Sequence, residues 1–360
     1  MNWPPLRPDP ELSRAVLVGV GSFTDPGLPD LPEAQPSVDE LADALTGPTG
    51  PLRRDRVTRI VDPRSPADVL RPLAEAAADT AGLLLFHYVG HGVKNGAGRL
   101  HLALPGTDAH PDRVPRTALS AQAVLELVGG TATTARHRAA WLDCCFGGLA
   151  LDLPAAADVN LLTAANRTRR ALVPPGSRTT AFTAELTGLL RRGVPDGPEH
   201  LDLPLLHRRV ALALESVPEG MPRHTQPPNP CHRLVHSGGE LAIARNAAHG
   251  TALTRGGLLE RARFAYRVAD AARDGRKAQA AELLAAIVVD AGRALGPTDP
   301  DTLRLRHAHA WVVGEAAGRQ ACLELLGPLL ADLAETLPAD HPELQRARES
   351  LRGWTLVGIE

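Results

Sequence analysis

Over its first two thirds the chain alternates short apolar runs with amphipathic helical patterns, and that alternation most narrows the folds open to it. Arg14–Gly21 (RAVLVGVG) and Arg56–Asp62 (RVTRIVD) read as strands, as do Gly82–Val89 (GLLLFHYV), Arg99–Leu104, Arg138–Asp143 (RAAWLD) and Val159–Ala165 (VNLLTAA). Between them, apolar positions recur at helical spacing in Val38–Leu45, Ser65–Thr80 and Ser120–Leu127, and later in Thr180–Arg191 and Pro204–Leu214. Ser37 and Ser65 are placed to cap the first two helices, with Pro66 at the first position of the second. Glu240–Ala244 is a candidate last strand. Nearly continuous apolar strands such as Gly82–Val89 belong to sheets covered on both faces, so the pattern predicts an α/β domain over residues 10–246 with a mainly parallel sheet sandwiched by helices.

After about Asn246 the strand signals stop, and Leu258 to Arg352 reads as helix throughout. Leu295–Arg306 (LGPTDPDTLRLR) and Leu337–Arg348 (LPADHPELQRAR) begin 42 residues apart, and each has a loop ending in a Pro-acidic step that opens a helix. A period of that size signals stacked helical hairpins, here an all-α repeat domain over residues 250–360. The loops and period resemble tetratricopeptide repeats, with room for two or three degenerate units; a plain helical bundle is the alternative.

Composition excludes several classes. The formal net charge is −2 with 22% charged residues, so there is no footprint for nucleic acid or an anionic membrane. Lys94 and Lys277 are the only lysines among 39 basic residues, which with the abundant Ala, Gly and Pro reads as the coding bias of a GC-rich bacterium. Four cysteines (Cys144, Cys145, Cys231, Cys322) are too few and too scattered for a disulfide framework, and the chain shows no signal peptide or spanning segment. A cytoplasmic protein is expected. No cofactor motif is present: Gly19-Val20-Gly21 lacks a third glycine, with Thr24 in its place, and no C-x-x-C completes a zinc site.

Two segments carry chemistry. Phe86-His87-Tyr88-Val89-Gly90-His91-Gly92 and Trp141-Leu142-Asp143-Cys144-Cys145-Phe146-Gly147-Gly148 each place a reactive side chain just beyond a buried strand. In open α/β sheets the ligand crevice lies at that end of the strands. His87 reads as a core residue and Cys144 as a small buried hydrophobe. His232 and His236 read as loop residues.

G-H-G after an apolar strand, followed by D-x-C-x-x-G after the next central strand, resembles the caspase, metacaspase and bacterial caspase-like peptidases over about Arg14–Ala244. His91 lies 54 positions before Cys145, in keeping with that group. The resemblance implies a caspase-like (caspase/hemoglobinase) fold, a Cys145 nucleophile with His91 as its base, and an oxyanion site at the backbone N–H groups of Gly92 and Cys145. It needs no third triad member, because a backbone carbonyl can orient the imidazole. The animal-caspase signature Q-A-C-x-G is absent, and Asp143 stands in place of its glutamine, as in metacaspases. There it implies a substrate-binding carboxylate favouring cleavage after Arg or Lys. Asp108 and Asp112 are too sparse for a calcium-binding stretch. No Lys or Arg occurs between Arg138 and Arg167, so a single-chain enzyme without self-splitting after the nucleophile strand is expected; Arg167–Arg170 (RTRR) is the first candidate cut. The expected partners are a protein or peptide substrate and a regulatory protein bound by the repeats, in bacterial stress or defence. The rival reading is a non-catalytic scaffold.

Overall fold

In the computed structural model, which describes residues 7–215, 217, 220–222, 224–270 and 275–356, the apolar runs form one open sheet. Strand β1 (Arg14–Gly19) is followed by helix α1 (Ala34–Thr46), β2 (Val57–Val61), α2 (Ala67–Ala78) and β3 (Leu83–Val89). Then come β4 (Gly92–Lys94), β5 (Leu100–Leu102), the short α3 (Val114–Thr117), β6 (Leu119–Ser120), α4 (Ala121–Gly129) and β7 (His137–Asp143). The N-terminal unit ends with β8 (Asn160–Thr163), α5 (Ala181–Arg192), β9 (His200–Asp202), α6 (Leu203–Ala213), β10 (Cys231–Arg233) and β11 (Ala242–Arg245). The main sheet has the order β10-β8-β7-β3-β1-β2. All its pairings are parallel except that of β10, which runs antiparallel on β8 at the edge.

Strand β3 shows why the sheet is covered twice. Leu83, Leu85 and Val89 face a core with Leu41 and Leu45 of α1, Leu186 of α5 and Leu206 of α6. The alternate residues Leu84, Phe86 and Tyr88 face Val69 and Leu73 of α2 and Val124 and Val128 of α4. All seven residues of the strand are buried, as the period-2 alternation requires when helices lie on both sides.

The structure departs from the sequence reading at several points. Ser37 does not cap α1: the helix starts at Ala34, with Pro36 in its first turn where a missing N–H is harmless, and the buried Ser37 hydroxyl accepts from the Thr180 N–H at 3.1 Å. Ser65 makes no side-chain cap on α2, whose cap position is Pro66. The last strand, β11, joins β9 in a separate two-stranded sheet. A three-stranded antiparallel sheet of β4, β5 and β6 grows directly from the G-H-G motif. His232 is a strand residue, in β10.

The chain divides into two compact units, Met1–Ala247 and Ala248–Glu360. The second consists of α7 (Arg255–Ala269), α8 (Arg276–Ala294), α9 (Pro300–Ala317), α10 (Arg319–Thr336) and α11 (Pro342–Leu356), in which consecutive helices pack on one another. Thr254 and Asp299 cap α7 and α9 with their side chains, and Leu303, Cys322, Leu326, Leu329, Leu333 and Leu344 fill a core. Residues 271–274 and 357–360, part of the stretch expected to be a helical repeat domain, lie outside the described residues. Among the described residues no helix is long and apolar enough to cross a membrane.

Candidate active site

The two motifs meet because their strands are neighbours in register. Strands β3 and β7 are parallel and pair Val89 with Asp143. The Gly90 N–H extends the ladder to the Asp143 carbonyl at 3.3 Å, and His91 and Cys145 each lie two residues beyond that matched pair. Both therefore emerge at the carboxyl edge of the central strands. Gly92 makes this approach feasible, since a Cβ there would stand 2.0 Å from the Cys145 carbonyl oxygen. The Tyr88 hydroxyl lies between the carbonyls of Ala103 (2.7 Å) and His91 (3.1 Å), tying the motif to β5.

The half-exposed His91 ring is held by the loop after β1. Its Nε2 lies 2.7 Å from the Pro29 carbonyl, and the Phe23 ring packs on it with centroids 4.7 Å apart. A carbonyl can only accept, so Nε2 carries the proton and Nδ1 of the neutral ring keeps its lone pair. Among the described residues the ring makes no hydrogen bond to the Cys145 thiol.

Cys144 is wholly buried, whereas Cys145 is partly exposed. Burial pushes the Cys145 thiol above its ordinary pKa, while the Ala171 N–H and the Arg170 charge pull it down. Cys144 is raised further, by deeper burial and by the neighbouring Cys145 and Asp143. After Cys145 the chain turns at Phe146, a non-glycine residue at φ 60°, into the 3-10 turn Gly147–Asp152. Two contacts hold that left-handed residue: its N–H donates to the Arg169 carbonyl at 3.0 Å, and the Lys94 ammonium sits 4.5 Å above its ring.

Asp143 is 2% exposed. Its Oδ2 accepts from the hydroxyls of Thr180 and Thr183 (2.7 Å for the latter), the cap and first turn of α5, and its Oδ1 is buried without a partner. Burial raises this carboxyl to about 6, against the opposing pull of the two hydroxyls. His87 is completely buried on β3, and burial lowers its pKa to about 3, so the ring is neutral.

Beside Cys145, Thr168–Leu172 forms one wall of a cavity of about 440 Å³ whose other wall includes Met221 and His224. Among the described residues Arg169 and Arg170 on that wall make no ion pair, while nearby Arg167 is paired with Asp152 at 2.6 Å. Among the described residues no three His, Cys, Asp or Glu side chains gather where they could hold a metal ion.

Sequence reasoning did not find the partners of these groups. Pro29 and Phe23 lie in a Gly/Pro loop without periodicity, and Arg170 and Ala171 follow β8, where the RTRR stretch reads as a candidate cut and not as a neighbour of the thiol. Thr180 did carry a signal, because a Thr at the head of a helical pattern is an N-cap candidate, but nothing in that signal pointed to Asp143.

No protein-family model and no curated protein matches the chain. Among solved structures it is similar to caspase-1 from Spodoptera frugiperda, at 15% sequence identity and a TM-score of 0.47, covering 65% of this chain and 90% of the insect chain.

Proposed function

We propose that the N-terminal unit is a cysteine peptidase acting through Cys145 and His91. The observation that carries this reading is their placement two residues beyond one register pair on adjacent parallel strands, with the imidazole tautomer fixed by Pro29. With Nε2–H held by the carbonyl, Nδ1 is the atom free to take the thiol proton. The Cys145 thiolate then adds to the peptide carbonyl, and the oxyanion is assigned to the N–H groups of Gly92 and Cys145. Collapse expels the amine, protonated by His91. Water activated by the same ring hydrolyses the thioester and frees the thiol.

Preference for Arg or Lys before the cut is part of the proposal. Asp143 offers a buried carboxylate oxygen with no partner, two residues before the nucleophile, and a substrate guanidinium or ammonium would satisfy it. The raised pKa of Cys145 fits a resting enzyme of low activity. Residues 250–360 are assigned, as part of the same proposal, to a regulatory module in a bacterial stress or defence response. The single chain is expected to stay uncut between Gly148 and Val159.

Acyloxymethyl ketones ending in Arg or Asp, read by intact mass and peptide mapping, test this reading. Selective modification of Cys145 by the Arg probe, lost in His91→Ala, supports both parts. Modification by the Asp probe alone removes the role given to Asp143. Failure of both probes, in the purified protein and in lysate containing its natural partners, leaves the scaffold reading.

A further inference from the structure

The cavity beside Cys145 carries positive charge that no protein carboxylate neutralises. No Asp or Glu occurs in the chain between Asp158 and Glu185, and among the described residues none lines the cavity. The outer arginines of this stretch are paired, Arg167 with Asp152 at 2.6 Å and Arg178 with Glu40 at 3.8 Å. Arg169 and Arg170, between them, make no ion pair and no side-chain hydrogen bond among the described residues. Arg170 is exposed, whereas Arg169 is half-buried and its Nε is shut off from water without an acceptor. A buried donor left unmet is costly, and a planar guanidinium fork is met best by an anion with several oxygens.

The segment bearing these two side chains is fixed. Asn166 Oδ1 accepts from the N–H groups of Thr168 (2.9 Å) and Arg169 (3.0 Å). The Arg169 carbonyl accepts from the Phe146 N–H at 3.0 Å, and the Leu172 carbonyl accepts from the Ala181 N–H at 3.0 Å, which ties the wall to the turn after Cys145 and to α5. His224 and Gln226 add side-chain donors to the cavity, and Leu172 and Met221 add apolar surface. Its volume of about 440 Å³ falls within the roughly 300–1,000 Å³ of small-ligand pockets.

The charge of the occupant follows from the two unpaired guanidinium groups. A single carboxylate would neutralise one of them and leave the other unmet. A phosphomonoester carries close to two negative charges at neutral pH and three strong acceptor oxygens, so it satisfies both. We propose that this cavity binds a phosphomonoester, with the phosphoryl dianion on Arg169 and Arg170 and the organic part against Leu172 and Met221. The inference concerns binding alone and stands without the peptidase reading. It also has a local consequence. Burial raises the Cys145 thiol pKa, and the Arg170 charge works against it. An anion seated on Arg170 offsets that charge, so occupancy is reported by the thiol itself.

Isothermal titration calorimetry and iodoacetamide labelling of Cys145, both on the full-length chain, test the proposal. The probes are phenyl phosphate and acetyl-Ala-phosphoSer-Leu-amide, with inorganic phosphate and acetyl-Ala-Glu-Leu-amide as controls. One phosphomonoester is expected to bind about tenfold tighter than either control. It is also expected to slow Cys145 labelling at pH 8 by about threefold or more. Arg170→Glu alters an exposed side chain, and with an unchanged melting temperature it should weaken binding by about tenfold or more. Tighter binding of the phosphopeptide assigns the phosphoryl group to a protein side chain, and tighter binding of phenyl phosphate assigns it to a small molecule; each sustains the site. Equal affinity for the glutamyl peptide or for inorganic phosphate overturns the proposal. So does a lack of binding at millimolar concentration, binding that leaves Cys145 labelling unchanged, or an affinity unmoved in Arg170→Glu.

Discussion

The imidazole of His91 donates from Nε2 to the carbonyl oxygen of Pro29 at 2.7 Å, which assigns the proton to one ring nitrogen and leaves the other as a base. A main-chain acceptor cannot be titrated or removed by substitution, so this orientation persists across pH. What can be altered is the ring contact that steadies it.

Phe23→Ala removes the aromatic neighbour of His91 and leaves the Pro29 bond in place. Pairs of this kind contribute about 0.5–1.5 kcal/mol, so turnover is expected to fall roughly two- to tenfold. On the proposed peptidase reading Phe23 is a positioning residue, so kcat should drop with KM nearly unchanged. A change confined to KM would contradict that role.

Burial raises the Cys145 thiol pKa, so less thiolate is present at neutral pH than in a free cysteine. Iodoacetamide labelling of Cys145 is therefore expected to climb through pH 8 and 9 without levelling at 7. Arg170→Ala removes a charge that favours the thiolate, and labelling at pH 8 should slow by about two- to threefold. A plateau below pH 7.5 would show that the thiolate is preformed.

Asp143 is raised from an ordinary carboxyl to about 6. Between roughly pH 4 and 6 the folded state keeps a proton that the unfolded chain has lost, so this group's contribution to stability declines as pH rises. Asp143→Asn keeps a hydrogen-bond acceptor for Thr180 and Thr183 and removes the charge. Relative to the parent, the variant should gain on the order of 2–3 kcal/mol between pH 4 and 7 in urea unfolding. It should also lose the preference for Arg-ending probes. A parallel pH dependence in the two proteins would mean that Asp143 does not titrate in that range.

Gly92→Ala places a methyl group against the Cys145 carbonyl. The contact is with backbone, which cannot swing aside, so β4 or the nucleophile turn must shift. A loss of about 1–3 kcal/mol in stability, with Cys145 labelling by peptidyl ketones reduced at least tenfold, is expected. Wild-type labelling in a folded Gly92→Ala protein would show that the turn tolerates displacement.

Much of the fold was legible in the sequence because its signals are local. Leu83–Val89, apolar at every position but His87, can be buried only with cover on both faces, and the period-2 split of its side chains between two cores follows from strand geometry. The helical character of the second unit was readable, and the Pro-acidic steps marked where α9 and α11 open. The strands β4, β6 and β10 were not, since two or three residues carry no period, and what makes them strands is a partner distant in sequence.

The sequence by itself determined which reactive residues stand just past which strands: His91 two residues after β3 and Cys145 two after β7. Only the tertiary structure decided that those strands are neighbours paired at Val89 and Asp143. It alone placed Pro29 on the imidazole, Ala171 and Arg170 beside the thiol, and two threonine hydroxyls on Asp143. The physical reason is one of range. Burial pattern and backbone preference act within a few residues, whereas proton position, thiol pKa and carboxylate pairing depend on groups that the chain brings back from tens of positions away.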